Sequence, residues 1–259
     1  MIAEAIRTSK KAVIPYVTAG LPDLDATGEI IRALGDAGAA AIEIGIPFSD
    51  PMADGPVLQK ASHLALKAGF TLNGLLSRLG KWSSSVSAPL IVMSYINPLM
   101  RGGMRETLVR LRDTGIQGVI IPDLPCDASG IHEMCRDIGM DLIRLVAPTT
   151  TEERRREVVS QCSGFVYAVT IKGVTGARSS LPPEVRRQVQ DIRSLADLPV
   201  CAGFGVSTAG QVEDMLSFAD GVIVGSHLMA RVMESPDPVA AAGETFRALL
   251  KKESSCIEA

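Results

Sequence analysis

Hydrophobic and polar positions along this chain follow two alternating periods. Short apolar runs rich in β-branched residues recur at 12–18 (AVIPYVT), 41–47 (AIEIGIP), 89–96 (PLIVMSYI) and 118–125 (GVIIPDLP), and again at 142–148 (LIRLVAP), 164–170 (GFVYAVT), 199–206 (PVCAGFGV) and 221–226 (GVIVGS). Runs of this length suit strands buried on both faces. Between them, as in LDATGEIIRALGDAG and MRETLVRLRDTG, apolar residues return every third or fourth position, the period of an amphipathic helix. Three helical stretches close on one signal: Asp36-Ala37-Gly38, Asp113-Thr114-Gly115 and Asp137-Ile138-Gly139. Glycine just past the last turn takes the left-handed conformation that ends a helix.

A β-turn-α unit repeated over nearly the whole chain predicts parallel strands with helical crossovers. Eight units in 259 residues predict a closed (β/α)8 TIM barrel, a single domain over residues 1–259. An open doubly wound sheet is the competing architecture. No composition shift or long polar linker marks a second domain.

A barrel places its active site in the loops that follow the strands. The two longest units run from 41 to 89 and from 164 to 199. The first holds FSDPMADGP and room for an extra helix; the second holds KGVTGARSSLPPE. These long loops are expected to cover the site.

Alternation along the second run puts Ile42, Ile44 and Ile46 toward the helices, and Glu43, Gly45 and Pro47 toward the barrel interior. A carboxylate inside an apolar run is costly unless it is paired. Arg144 is the sole basic residue in the eight runs, and pairing with it is the structural reading of Glu43. The functional reading is an acid–base group whose pKa is raised by poor solvation, with Gly45 above it leaving room for a ligand. Turn chemistry alone accounts for an aspartate before glycine. Asp54 becomes a candidate through its place above the strand that carries Glu43.

GFGVS (203–207) and VGS (224–226) end the last two runs, where barrels bind phosphate with backbone N–H groups and a helix N-terminus. GVTG (173–176) adds further N–H donors. The glycines of GFGVSTAG are misplaced for a dinucleotide fingerprint.

Composition narrows the function further. With formal charge -3 and pI near 5.7, the chain has no basic footprint for nucleic acid. No apolar stretch reaches the roughly 18 residues of a membrane span. Five cysteines without CxxC spacing read as reduced thiols of a cytoplasmic protein. His63, His132 and His227 show no metal spacing, and HEMCR lacks the second histidine of HExxH, so no metal is expected. The residues alone thus point to a soluble barrel that performs proton transfer on a small phosphorylated substrate.

The stretch IEIGIPFSDPMADGP closely resembles the signature of the tryptophan synthase alpha chain family. PYVTAGLPD (15–23), MSYINPL (93–99), IIPDLP (120–125), GVTGAR (173–178), GFGVS and VGS follow in the family's order, over residues 12 to about 230. The resemblance implies retro-aldol cleavage of indole-3-glycerol phosphate to indole and glyceraldehyde 3-phosphate, without a cofactor. It implies Glu43 as acid/base, Asp54 as the second catalytic carboxylate and Tyr167 as the active-site tyrosine. It assigns phosphate binding to Gly176, Gly205, Gly225 and Ser226, with Thr175 in the substrate-binding set, and the indole slot to Tyr16, Met93 and Ile120. Barrel filling is the competing reading for Tyr167, and core filling for Met93.

The implied partner is a pyridoxal-phosphate-dependent tryptophan synthase beta chain in an α2β2 complex. The apolar loop residues Pro51, Met52, Pro98, Leu99, Met100 and Met104 read as its docking patch, with local loop packing as the competing reading. A stand-alone lyase releasing free indole is the competing function. Thr170-Ile171-Lys172 departs from the more polar run of many relatives. The segment before the first strand is short, which predicts a reduced plug at the barrel bottom. His227 has no assigned role.

Overall fold

The computed structural model describes residues 1–170, 183–195, 197–203 and 205–251. The eight strands are β1 (Val13–Thr18), β2 (Ile42–Gly45), β3 (Leu90–Met93), β4 (Gly118–Ile120), β5 (Asp141–Val146), β6 (Val166–Val169), β7 (Val200–Gly203) and β8 (Gly221–Val224). All neighbouring pairs are parallel, and β8 pairs with β1 to close the barrel in chain order. That closure excludes the open sheet.

Among the described residues the helices are α1 (Ile2–Thr8), α2 (Leu24–Asp36), α3 (Pro56–Lys67), α4 (Leu72–Ser83), α5 (Ile96–Met100) and α6 (Met104–Asp113). They continue with α7 (Ser129–Ile138), α8 (Glu152–Ser160), α9 (Pro183–Arg193), α10 (Ala209–Leu216), α11 (Ser226–Glu234) and α12 (Pro238–Leu250). None of the described helices is long and apolar enough to cross a membrane. The expected extra helix after β2 is α3. Gly38, Gly115 and Gly139 have φ of +94°, +90° and +71°, so each closes its helix in the left-handed region as the sequence signal predicted.

The pleat sorts side chains into two layers. Ile42, Ile44 and Ile46 join the apolar layer between barrel and helices, while Ile91, Ile120, Ile143 and Tyr167 fill the interior. The bottom is plugged despite its short leader. Ile2 and Ile6 of α1 are buried and belong to the interior cluster. Gly118 makes room for this plug: a Cβ there would stand 2.7 Å from Ile2 Cδ1.

Several strands end earlier than their apolar runs. The third stops at Met93, because Ile96 N–H turns away to the Asp123 carboxylate (2.9 Å) and starts α5. What reads as the end of a strand is therefore a loop at the rim. Arg144 faces the helical layer. Its guanidinium donates to Gln161 Oε1 (2.6 Å) and to the carbonyls of Leu124 (3.3 Å) and Pro125 (2.9 Å). It is occupied outside the barrel and does not pair with Glu43.

Candidate active site

Glu43 lies in register with Tyr16 of β1 and Ile91 of β3, facing the interior. It is 1% exposed, and its Oε1 has no hydrogen-bond partner among the described residues. Burial pushes its pKa from the ordinary 4.5 to about 8. A buried carboxyl without a partner stays protonated at neutral pH, so Glu43 is poised as an acid.

Gly45 does not leave room for a ligand, contrary to the expectation from sequence. The Tyr16 phenol occupies that space, and any Cβ at Gly45 would collide with it. The ring of Tyr16 reaches from Gly225, where a Cβ would stand 3.4 Å from Tyr16 Cβ, to Gly45 above Glu43. Both glycines accommodate this aromatic wall.

Asp54 lies in the loop after β2. Partial burial raises its pKa from 3.8 to about 6, and a hydrogen bond from the Tyr95 hydroxyl opposes the rise. The two carboxyls therefore differ in kind. Between about pH 6 and 8, Asp54 is ionised while Glu43 is neutral. Environments that separate two carboxyls in this way assign one as acid and the other as counter-charge.

One cavity at the C-terminal end of the barrel brings most of the nominated residues together. Tyr16, Glu43, Asp54, Met93 and Tyr167 line one part; Gly205, Gly225 and Ser226 line another. Gly225 is the N-cap of α11 and Ser226 its first residue, so the helix N-terminus opens beside the cavity. Gly205 has φ +76°, a conformation that glycine adopts at little cost. Thr175 and Gly176, with Ile171 and Lys172, lie outside the described residues. Thr170, the first residue of that departure, is buried and bonds to Gly203.

Ile120 does not line the cavity. It is fully buried in the interior below, and Leu145 and Ile223 supply the apolar wall instead. Alternation along β5 marks Leu145 as inward-facing, a signal that was available in sequence. His227 also lines the cavity, and burial together with Arg231 lowers its pKa. Tyr95 stands inside MSYINPL but has no role in the sequence reading, because it lies in a run that reads as strand. Leu99 is fully buried, so it drops out of the proposed apolar rim, whereas Met52 and Met100 are 91% and 57% exposed.

Comparison with known proteins identifies the family. The family model for the tryptophan synthase alpha chain matches residues 2–255. The chain belongs to that family. A tryptophan synthase alpha chain of Carboxydothermus hydrogenoformans is 45% identical over 230 residues, covering 88% of this chain and 86% of the relative. One from Petrotoga mobilis is 42% identical over 237 residues, covering 91% and 92%. The tryptophan synthase alpha-subunit of Pyrococcus furiosus superposes with a TM-score of 0.87 at 34% identity, covering 93% of this chain and 98% of that one. A chain in the tryptophan synthase complex of the same organism gives 0.85 at 34% identity, with the same coverage. In this tryptophan synthase alpha chain, one cavity gathers a buried neutral carboxyl, an ionised one and the N-terminus of α11.

Proposed function

We propose that this chain, acting as one barrel domain in the cytoplasm, runs the alpha reaction of tryptophan synthase with Glu43 and Asp54 as its two working carboxyls. The reaction is carbon–carbon lysis of indole-3-glycerol phosphate to indole and glyceraldehyde 3-phosphate, a step of L-tryptophan biosynthesis. The observation that carries the assignment is a neutral Glu43, its Oε1 without a partner among the described residues, facing the same cavity as an ionised Asp54.

The proton balance follows from those two states. Glu43 gives its proton to indole C3, which leaves the ring cationic. The resulting carboxylate takes the proton of the side-chain hydroxyl next to the C3 bond. As that bond breaks, its electron pair returns to the ring, the hydroxyl carbon becomes the aldehyde, and Glu43 is protonated again. Asp54 accepts from the indole N–H and offsets the positive charge that grows there. Tyr16, Met93 and Tyr167 flank the flat ring. Gly205 in the loop after β7, and Gly225 and Ser226 at the α11 N-terminus, offer the phosphate backbone N–H groups; Thr175 and Gly176 complete that subsite in this reading.

The partner is a tryptophan synthase beta chain. Exposed Met52 and Met100 suit docking, since methionine adapts to a partner's contour. The test is to mix the purified chain with indole-3-glycerol phosphate, with and without the beta chain, and to follow indole. Release of indole that accelerates with the beta chain supports the reading. No indole under either condition overturns it, and full activity in a chain that elutes alone favours the stand-alone lyase.

A further inference from the structure

Two consecutive residues of the loop after β2 meet one hydroxyl. Ala53 N–H donates to Tyr95 Oη at 2.9 Å, and the Asp54 carboxylate lies close enough to the same hydroxyl for it to draw the Asp54 pKa down. With its lone pair engaged by Ala53, the Tyr95 hydroxyl keeps its proton free to face Asp54. Tyr95 itself is held on three sides. Its ring packs on Phe48 with centroids 5.3 Å apart. Its carbonyl accepts from Ser94 Oγ at 2.9 Å. The next residue is pinned by Asp123. The residue is 5% exposed, and burial with the negative charge of Asp54 keeps its phenol protonated.

We infer that Tyr95 is a positioning residue for the cleavage: its hydroxyl clamps the loop after β2 at Ala53 and aims the Asp54 carboxylate into the cavity. This rests on the reading of Asp54 as the group that answers the indole N–H. A loop carboxylate on its own samples many rotamers, and each one lost on binding costs entropy. A fixed donor removes that cost beforehand and favours the charged form of the acid. The other described ionisable groups that line the cavity with Asp54 work the other way or are neutral. Glu43 on β2 is protonated below about pH 8, Tyr16 on β1 and Tyr167 on β6 are neutral phenols, and burial with Arg231 keeps the His227 ring on α11 toward its neutral form. Asp123 faces Tyr95 from the loop after β4. Among the described residues, Tyr95 is thus the donor that favours a negative Asp54.

Tyr95→Phe tests this, since it keeps the ring against Phe48 and removes the hydroxyl. The assay is indole release from indole-3-glycerol phosphate across pH, with wild type as reference. The expected result is a kcat reduced about tenfold or more, KM changed by less than about threefold, and an acid limb of kcat/KM moved upward from near pH 6. The second arm places Tyr95→Phe in an Asp54→Asn background, where it should cost almost nothing further. An unchanged acid limb, or full additivity with Asp54→Asn, overturns the inference even if the variant is less stable. If wild type releases no indole, it is the functional reading that fails. If wild type is active and Tyr95→Phe matches it in kcat and pH profile, only the role of Tyr95 falls.

Discussion

The Tyr16 phenol lies across Gly45, filling the space directly above Glu43 where a side chain on β2 would otherwise stand. The glycine therefore serves the aromatic wall, and the wall in turn keeps Glu43 away from water. Gly45→Ala should force Tyr16 out of place, destabilising the fold by about 1–3 kcal/mol through overpacking and lowering indole release more than tenfold. Truncating the ring with Tyr16→Ala should remove most of that extra instability. Urea unfolding of the two single variants and the double variant checks the point. Additive losses would mean that the two residues do not share this space.

Glu43 burial should appear in stability as well as in rate. In the unfolded chain the carboxyl ionises near its ordinary 4.5; in the barrel it holds its proton to about 8. Across that window the folded state binds more protons, so this group's contribution to stability falls as pH rises from about 4.5 to 8. Glu43→Leu should therefore raise Tm more at pH 8.5 than at pH 4.5, while abolishing cleavage. Thermal unfolding at both pH values decides it, and an equal shift at the two would contradict a buried, neutral Glu43.

Much of this molecule is legible in the sequence because the period-2 and helical patterns, with glycine stops, are local. The parity of Ile42, Glu43 and Ile44 needs no tertiary information. What escaped reading depends on contacts across the barrel. Arg144 looks like a partner for Glu43 until its pleat direction and its bonds to Gln161, Leu124 and Pro125 are known. Ile120 and Leu145 are both inward-facing, but depth along the barrel axis decides which one meets the cavity. Tyr95 was hidden because an apolar run conceals where pairing stops and the rim begins.

Gly205 offers a test of the phosphate pocket. Its φ of +76° disfavours any side chain by about 1–2 kcal/mol, although a Cβ there meets no atom of the described residues within 4 Å. Gly205→Val should weaken glycerol phosphate binding severely while indole still binds, as read by calorimetric titration of each. Unchanged glycerol phosphate affinity would place the anion elsewhere.

Docking can be separated from folding at the exposed methionines. Met52→Asp or Met100→Asp should leave the isolated chain's Tm within about 1 °C, as expected for surface substitutions. Either change should reduce the acceleration given by the beta chain. Size exclusion of the mixed chains and a beta-chain titration of cleavage provide the readouts. Undiminished acceleration in both variants would move the interface away from these loops.

The most direct measurement is single-turnover cleavage of indole-3-glycerol phosphate by Glu43→Gln beside wild type, with the beta chain present. Glutamine keeps the size of the side chain and removes its exchangeable carboxyl proton. Since one group serves both proton transfers, the rate should fall beyond the roughly 10²–10⁴ of a single acid–base contribution, with substrate binding and the folded circular dichroism spectrum retained. Retention of more than about a tenth of the wild-type rate, the loss expected from far less than one acid–base contribution, would contradict Glu43 as the proton donor and acceptor.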